Sequence, residues 1–190
     1  MFKINDYSVL STLSYGKSHL KIITPNYENE SIWILNKVLN LKKSKCFSID
    51  ETLSQKQYNK YLSFIKRRLN KEPLQHILGN VPFYGRSFLV GNNVFISRQE
   101  TEICIDIIKK ELPYLSNVLE VGCGIGSISI TLELEKLANK ITSIDINPKA
   151  IHVAQKNNQL FNCRNITYLH EDFFKYSISH KFHLLISNPP

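Results

Sequence analysis

The feature that most constrains the fold is a run of closely spaced glycines at the end of an apolar segment. The segment Val118-Leu-Glu-Val121 leads into Gly122-Cys-Gly-Ile-Gly126, and an apolar helical pattern follows. Glycine accepts positive φ and lets the backbone approach a bulky group, while a helix start offers free N–H donors. The spacing is Gly-x-Gly-x-Gly rather than the Gly-x-Gly-x-x-Gly of dinucleotide binders, which argues against NAD. The sequence therefore predicts a strand-to-helix turn that approaches a ligand.

Strand and helix patterns alternate after Pro113. Asn147 as cap and Pro148 at the first helical position mark one helix start clearly. Alternation of this kind predicts an α/β fold with a parallel, doubly wound sheet. The candidate strands are 117–121, 141–145, 166–170 and 183–187, and the candidate helices are 126–138 and 148–160.

The part before this alternation has helical periodicity. Apolar residues at helical spacing predict a small bundle with helices at 7–15, 27–41 and 57–69, which Glu72 and Pro73 end. Aromatic and glycine-rich residues 81–95 predict a short hairpin, and 99–112 a further helix. The predicted organisation is a helical bundle at 1–73, a linker with the hairpin at 74–97, and a ligand-binding domain at 98–190.

Acidic and aromatic residues follow two of the candidate strands. Asp145 ends the second strand, where a carboxylate can accept hydrogen bonds from both hydroxyls of a ribose. The alternative is that Asp145 only helps to cap the helix after Asn147. After the third strand, Asp172 offers a carboxylate for an adenine amino group and Phe173 a ring for its face, unless that ring belongs to the core.

The sequence Ser187-Asn188-Pro189-Pro190 closes the fourth candidate strand. Ligands of open α/β sheets bind at this carboxyl edge, and consecutive prolines require a turn that leaves carbonyls unpaired. The Asn188 side-chain oxygen and the Pro189 carbonyl can each accept one hydrogen of a planar –NH2 group, which would orient its nitrogen toward a methyl donor. This pattern, after a matching loop and acid, predicts methyl transfer to an amino or amide nitrogen.

Together these motifs resemble the HemK/PrmC family of release factor glutamine methyltransferases, over roughly residues 32–190. Two upstream segments strengthen the resemblance: Glu72-Pro-Leu-Gln-His-Ile-Leu-Gly79 is similar to the family's linker, and Ile96-Ser-Arg-Gln-Glu-Thr-Glu102 to its Pro-Arg-Pro-[Asp/Glu]-Thr-Glu element. The resemblance implies a class I methyltransferase fold with S-adenosylmethionine as cofactor. It implies methylation of the glutamine in the Gly-Gly-Gln motif of class I release factors, without a metal.

The resemblance assigns roles to individual positions. Asn188, Pro189 and Pro190 would form the catalytic clamp. The implied cofactor-binding residues are Gly122, Cys123, Gly124, Ile125, Gly126, Asp145, Asp172, Phe173 and Asn188.

Three departures from the family pattern stand out. Ser97 and Gln99 replace two prolines, which predicts a less rigid loop, and Phe173 stands where a tryptophan is common. The chain also stops before the tyrosine that follows the two prolines in the family. The expectation is a fragment of a chain of about 280 residues, with an incomplete sheet and no turnover on its own.

Composition narrows the alternatives without deciding between them. The net charge of +8 and the basic clusters at Lys42, Lys43 and Lys45 and at Lys66, Arg67 and Lys71 are compatible with an anionic partner, but equally with a solvated basic surface. The competing hypotheses are an adenine-N6 DNA methyltransferase and a non-catalytic RNA- or ribosome-binding fragment. The lack of a signal peptide pattern, of a long apolar run and of paired cysteines predicts a cytoplasmic protein with reduced thiols.

Overall fold

A computed structural model describes residues 7–41, 51–112, 114–178 and 181–189. Contacts divide the chain into two units, Met1–Leu78 and Gly79–Pro190. Several residues singled out in the sequence lie outside the described ranges: Lys42, Lys43, Lys45, Cys46, Pro113 and Pro190.

Helices make up the described part of the first unit. They are α1 (Val9–Leu20), α2 (Tyr27–Leu39), α3 (Gln55–Leu69) and α4 (Leu74–Leu78). A capping box starts α3: the Ser54 side chain accepts the Gln57 N–H, and the Gln57 side chain accepts the Ser54 N–H. The predicted helical bundle is thus present. Its most deeply buried side chains are Leu20, Ile34, Leu35, Tyr61 and Ile65.

Two helices of this unit differ from the prediction. α1 extends beyond Tyr15 to Leu20, because Gly16 is buried against α2 and α3 and packing outweighs its low helix propensity. α4 was not predicted, since Pro73 was interpreted only as an end of the bundle. The Pro73 carbonyl accepts the N–H groups of His76 and Ile77, so this proline also starts α4 at a position that needs no N–H of its own.

We expect Gly16→Ala to destabilise the first unit. A Cβ at Gly16 would lie 1.9 Å from the hydroxyl of Tyr61 and 2.6 Å from that of Ser31, two fully buried groups that are hydrogen-bonded to each other at 2.6 Å. Such overpacking costs roughly 1–3 kcal/mol of unfolding free energy, more than the helix propensity that alanine adds. Urea denaturation followed by circular dichroism measures the loss.

The matched control is Ser18→Ala, an exposed position on the same helix. It should leave the unfolding free energy within about 0.5 kcal/mol of the wild type. Gly16→Ala with unchanged or increased stability would mean that the packing of α1 on Tyr61 is not as tight as described.

The second unit contains a hairpin and a parallel sheet. In the hairpin, β1 (Asn80–Phe83) pairs antiparallel with β2 (Arg86–Leu89). The sheet has the strand order β5-β4-β3-β6, and its pairs are parallel. Its strands are β3 (Leu115–Val121), β4 (Ala138–Asp145), β5 (Ile166–His170) and β6 (Leu184–Ser187), and the helices are α5 (Glu102–Glu111), α6 (Ser127–Leu134) and α7 (Pro148–Leu160). The α/β fold predicted from the sequence is confirmed.

One element boundary in the sheet was wrong. The helix predicted at 126–138 ends at Leu134, and Ala138 already belongs to β4, opposite Leu115 of β3. Lys136 has a left-handed φ of 59°, which turns the chain back toward the sheet. An apolar run alone does not show where a helix ends and the following strand begins. Leu137 and Ala138 are buried in the main core of the unit, so apolar residues would be expected there in either kind of element.

A buried asparagine joins three parts of the second unit. The Asn157 side chain on α7 accepts the Leu89 N–H at 2.8 Å and donates to the carbonyl oxygens of Leu89, at 3.0 Å, and Ile125, at 2.9 Å. Phe83 and Phe88 of the hairpin pack in the same core as Val118 of the sheet. The hairpin is therefore an integral part of this unit. Within the described ranges, no helix is both long and apolar enough to cross a membrane.

Candidate functional site

The carboxyl ends of four strands meet at one edge of the sheet. Val121 of β3 pairs with Ile144 of β4 and with Ser187 of β6, so these three residues lie at the same level of the sheet. Gly122, Asp145 and Asn188 are the residues that directly follow them. The backbone of Glu171, after β5, donates its N–H to the Asp145 carbonyl at 3.2 Å. The structure thus brings the predicted motifs together at the edge where open α/β sheets bind ligands.

The glycine loop between β3 and α6 has positive φ at Gly122, Gly124 and Gly126, with values of 75°, 55° and 78°. Only glycine adopts this sequence of angles without strain. A Cβ at Gly122 would meet no protein atom within 4 Å, whereas one at Gly126 would lie 3.0 Å from the Tyr168 hydroxyl. Open space therefore adjoins the start of the loop, and its end is packed on the protein.

The N–H groups of this loop are mostly used within the protein. Those of Gly122 and Cys123 donate to the Ile144 carbonyl, that of Gly124 to Asp145, and that of Gly126 to the Cys123 carbonyl. The expectation of free donors is wrong for these four amides, because the loop closes on the end of β4. The loop thus offers a ligand shape and space rather than these N–H groups.

Two side chains of the loop are buried away from the edge. Ile125 is fully buried in the main core of the unit, and Cys123 packs with Ile151 and Ala154. Burial raises the pKa of the Cys123 thiol above its ordinary value, so the thiol stays protonated and is a poor nucleophile. Only the backbone of these two predicted positions can face a ligand. Among the described residues, no group of three or more His, Cys, Asp and Glu side chains could hold a metal ion.

Asp145 holds the turn after β4 with both carboxylate oxygens. Oδ2 accepts the Gly124 N–H at 2.9 Å and Oδ1 accepts the Asn147 N–H at 2.8 Å, while Asn147 itself caps α7. Each carboxylate oxygen can accept more than one hydrogen bond, and the residue is partly exposed. Asp145 therefore takes part in the local turn, as the alternative interpretation had it, and retains acceptor capacity for hydroxyl groups.

Asp172 and Phe173 lie in a turn just beyond β5. The Asp172 carboxylate accepts the Phe174 N–H at 3.0 Å, and the rings of Phe173 and Phe174 meet edge to face with centroids 5.8 Å apart. Phe173 is partly buried, whereas Phe174 is 94% exposed. Both aromatic rings thus stand beside the carboxyl edge, and the neighbouring Phe174 is the more accessible of the two.

Asn188 and Pro189 line a cavity of about 490 Å³ at this edge. The Asn188 side chain donates from Nδ2 to the Thr101 hydroxyl at 2.9 Å, and the Ser187 hydroxyl donates to the Val121 carbonyl at 2.9 Å. The remaining lining comes mainly from the segment before α5 and from α5 and α6: Phe95, Arg98, Glu100, Thr101, Cys104, Ile128, Ile186 and Ser187. An amide group and a proline turn therefore border a space that can admit a side chain.

The segment 96–102 is tied down at both ends. The hydroxyl of Ser97 is hydrogen-bonded to that of Ser127 at the start of α6, and the Glu102 carboxylate accepts the Tyr84 N–H of the hairpin at 2.9 Å. Ser97 replaces a proline of the family pattern, and its hydrogen bond supplies a restraint that proline would have supplied through its ring. The departure at Ser97 thus does not leave this end of the segment untethered.

Two polar residues of the site were not assigned a role from the sequence. Thr101 is 6% exposed and contacts Asn188, and Glu120 of β3, two residues before Gly122, is 1% exposed. The Ser143 hydroxyl donates to the Glu120 carboxylate at 2.8 Å. Burial raises the pKa of Glu120 to about 7, against hydrogen bonds from Ser129 and Ser143 that lower it. The sequence signal that could have identified Glu120 is the presence of an acidic residue within an otherwise apolar strand.

Comparison with known protein families decides the identity of the fold. The sequence model described as "Methyltransferase small domain" matches residues 86–190, and that described as "PrmC N-terminal domain" matches residues 11–79. The chain belongs to the HemK/PrmC family of S-adenosylmethionine-dependent methyltransferases. The resemblance inferred from the motifs is thereby confirmed.

Relatives with assigned names agree with this HemK/PrmC membership. The release factor glutamine methyltransferase of Buchnera aphidicola subsp. Baizongia pistaciae is 31% identical over 186 residues, covering 94% of this chain and 65% of the relative. That of Fusobacterium nucleatum subsp. nucleatum is 34% identical over 174 residues, covering 87% of this chain and 48% of the relative. The chain spans about half to two thirds of the length of these relatives.

Among solved structures, Methanocaldococcus jannaschii Trm5 in complex with adenosine is similar to the sheet-containing part. The TM-score is 0.50 at 27% identity, covering 58% of this chain and 34% of that chain.

The edge of this HemK/PrmC chain fits S-adenosylmethionine, the cofactor of the family. Open space adjoins Gly122, the Asp145 carboxylate has spare acceptor capacity for a ribose, and aromatic rings stand beyond β5. The cavity lined by Asn188 lies at the same edge. A nucleoside and a nitrogen nucleophile could therefore approach each other there.

Proposed function

We propose that this protein is part of an enzyme that transfers a methyl group from S-adenosylmethionine to the side-chain amide nitrogen of the glutamine in the Gly-Gly-Gln motif of class I release factors. The observation that carries the proposal is the Asn188 side chain, which borders a cavity at the carboxyl edge of the sheet, beside the glycine loop and Asp145.

The chemistry requires a device that makes an amide nitrogen reactive. An amide nitrogen is a weak nucleophile because its lone pair is delocalised into the carbonyl group. With Nδ2 of Asn188 bound to Thr101, its Oδ1 is left to accept one hydrogen of the target –NH2, and the Pro189 carbonyl accepts the other. Two acceptors fix the plane and raise the electron density of the nitrogen as it attacks. Pro190, which the family pattern adds to this clamp, would keep its turn rigid.

The methyl donor has its own set of residues. When bound, S-adenosylmethionine would supply a methyl group on a positively charged sulfur. As the amide nitrogen forms its bond to the methyl carbon, the carbon–sulfur bond breaks, neutral S-adenosylhomocysteine leaves, and the nitrogen gives up one of its two protons to solvent. In the proposal, Asp145 accepts the ribose hydroxyls, the loop Gly122–Gly126 gives the backbone room to approach, and Asp172 and Phe173 receive the adenine. The buried side chains of Cys123 and Ile125 hold the loop in place.

A protein substrate is favoured over DNA by the relatives, which are named for release factor glutamine methylation. The helical bundle at 1–73 is proposed as the part that recognises the release factor. The predicted linker at 74–97 precedes the methyltransferase domain proposed at 98–190, and its hairpin packs in the core of the second unit. In the bundle, Arg67 pairs with Glu72 and Arg68 with Glu30, so these two cations are already neutralised and are not proposed to bind RNA.

The function is tested with a chain extended to the length of the relatives, because the 190 residues alone are expected not to turn over. It is incubated with a class I release factor and labelled S-adenosylmethionine, and the label is located by mass spectrometry of peptides. Label on the glutamine of Gly-Gly-Gln supports the proposal. The matched control is a release factor with that glutamine changed to glutamate, which has no amide nitrogen and should take up no label. Label on adenine-containing DNA, and none on release factor, would refute it.

We expect Asp145→Ala to weaken S-adenosylmethionine binding by about 1–2 kcal/mol, a loss of roughly fivefold to thirtyfold in affinity. The reason is the loss of charge-assisted hydrogen bonds to the ribose, together with the Gly124 N–H that Asp145 holds. Isothermal titration calorimetry measures the change.

Asp145→Asn separates the two causes. It removes the charge and keeps one side-chain oxygen for the Gly124 N–H, but it loses the acceptor for the Asn147 N–H. A similar loss of affinity in an Asp145→Asn protein of unchanged thermal stability would assign the effect to the ribose. Asp106→Ala, at an acid that binds the Tyr84 hydroxyl away from this edge, is the control and should bind normally. Unchanged affinity in a folded Asp145→Ala protein would remove Asp145 from the site.

A further inference from the structure

The clamp of the proposed function depends on which way round the Asn188 amide stands. The oxygen and the –NH2 end of an asparagine have nearly the same shape, so packing alone does not choose between them. With Oδ1 toward the target nitrogen, the clamp accepts a hydrogen. With Nδ2 there, two –NH2 groups would face each other, and no hydrogen bond could form between them because both are donors.

Thr101 holds one end of this amide: its hydroxyl could pair with either end, and in the structure it accepts from the –NH2 end. Thr101 is the last residue of a 3₁₀ turn, Gln99–Thr101, that directly precedes α5, and its side chain is 6% exposed. Its hydroxyl oxygen accepts from Nδ2 of Asn188 at 2.9 Å, although the two residues are 87 positions apart in the chain. Both residues line the same cavity of about 490 Å³. The –NH2 end is therefore held at the wall, and Oδ1 is the end left for a ligand.

Neighbouring contacts make Thr101 a firm partner. Its N–H donates to the Arg98 carbonyl at 3.2 Å, and the segment before it is attached to α6 through Ser97 and Ser127. On the other side, Ser187 is bound to the end of β3 by its hydroxyl and by strand pairing. The backbones on both sides of the Thr101–Asn188 hydrogen bond are thus fixed independently of it.

We propose that Thr101 is a positioning residue that holds the Asn188 side-chain amide by Nδ2, so that Oδ1 is the end that faces the target nitrogen. The proposal rests on the function proposed above for Asn188, and it adds that the segment before α5 determines how the clamp is presented. Thr101 itself does not contact the reacting atoms. Its removal should therefore affect turnover through Asn188 alone.

The first test measures the hydrogen bond without any activity. In ¹⁵N-labelled protein, the Asn188 side-chain signal is identified by its loss in Asn188→Ala, and the exchange of its –NH2 protons with water is compared with that of the exposed Asn92. We expect Asn188 to exchange roughly tenfold more slowly in the wild type and in Thr101→Ser, which keeps the hydroxyl, and at the exposed rate in Thr101→Val. Equal exchange in wild type and Thr101→Val would overturn the proposal.

The second test uses methyl transfer to a release factor by a chain extended to the length of the relatives, and wild type and variants are compared in that extended form. Thr101→Val should lower kcat roughly tenfold while KM and cofactor affinity stay within about twofold, and Thr101→Ser should restore most of kcat. In an Asn188→Ala background, Thr101→Val should have no further effect, and an equal further loss would show that Thr101 acts independently. A wild type that transfers no methyl group would refute the proposed function, whereas the exchange measurement would still decide the orientation of Asn188.

Discussion

In a full-length version of the protein, Asn188→Ala should reduce methyl transfer by roughly a hundredfold or more while cofactor affinity stays within a few-fold of the wild type. The lost hydrogen bond matters most as the amide nitrogen is attacked, because the acceptor then stabilises a developing charge. Steady-state kinetics with release factor and labelled S-adenosylmethionine measure kcat, and calorimetry measures cofactor binding.

The matched control for this substitution is Asn117→Ala. Asn117 lies near the amino end of β3, at the opposite edge of the sheet, and its backbone carbonyl rather than its side chain accepts the His183 N–H. Its removal should leave turnover within about twofold. Normal turnover in Asn188→Ala would show that this residue does not orient the substrate.

Glu120→Gln should make the second unit more stable above neutral pH. Burial raises the pKa of Glu120 to about 7, from an ordinary value near 4.5, so the folded state holds its proton more tightly than the unfolded state. The stabilisation by this proton is complete below pH 4.5 and is lost as pH rises toward 7. A glutamine mimics the protonated form at every pH. The expected gain is about 3 kcal/mol at pH 8 and under about 1 kcal/mol at pH 5.

Urea denaturation of wild type and Glu120→Gln at pH 5 and pH 8, followed by circular dichroism, measures this difference in stability. The exposed Glu111→Gln is the control and should leave the pH dependence of stability unchanged. A constant gap between wild type and Glu120→Gln at both pH values would mean that Glu120 has no raised pKa in the folded protein.

Local patterns were enough to predict the second unit's fold and the place of its site. The alternation after residue 117 predicted a parallel sheet, and the glycine loop, Asp145 and Asn188 were each expected at a strand's carboxyl end. These features are local, because strand periodicity, glycine spacing and a terminal proline act on neighbouring residues. The parallel arrangement then brings their ends to one edge without further information.

The ends of helices and strands were harder to predict from local sequence patterns. Gly16 lies inside α1 because Tyr61, 45 positions later, packs against it, and the end of α6 is set by the pairing of Ala138 with Leu115. Neither cause is visible in a short window of sequence. Tertiary packing and strand pairing decided both.

The sequence by itself determined the class of the sheet, the family, and the residue types that are proposed to approach a cofactor and an amide. Only the tertiary structure decided how these residues are held: Thr101 binds Asn188 across 87 positions, Asn157 binds Leu89 across 68, and Glu120 is buried beneath the loop. The physical reason is that hydrogen-bond partners and burial depend on which distant segments meet. The chemistry of a residue determines what it can bind, and the fold determines which of its polar groups remain free for a substrate.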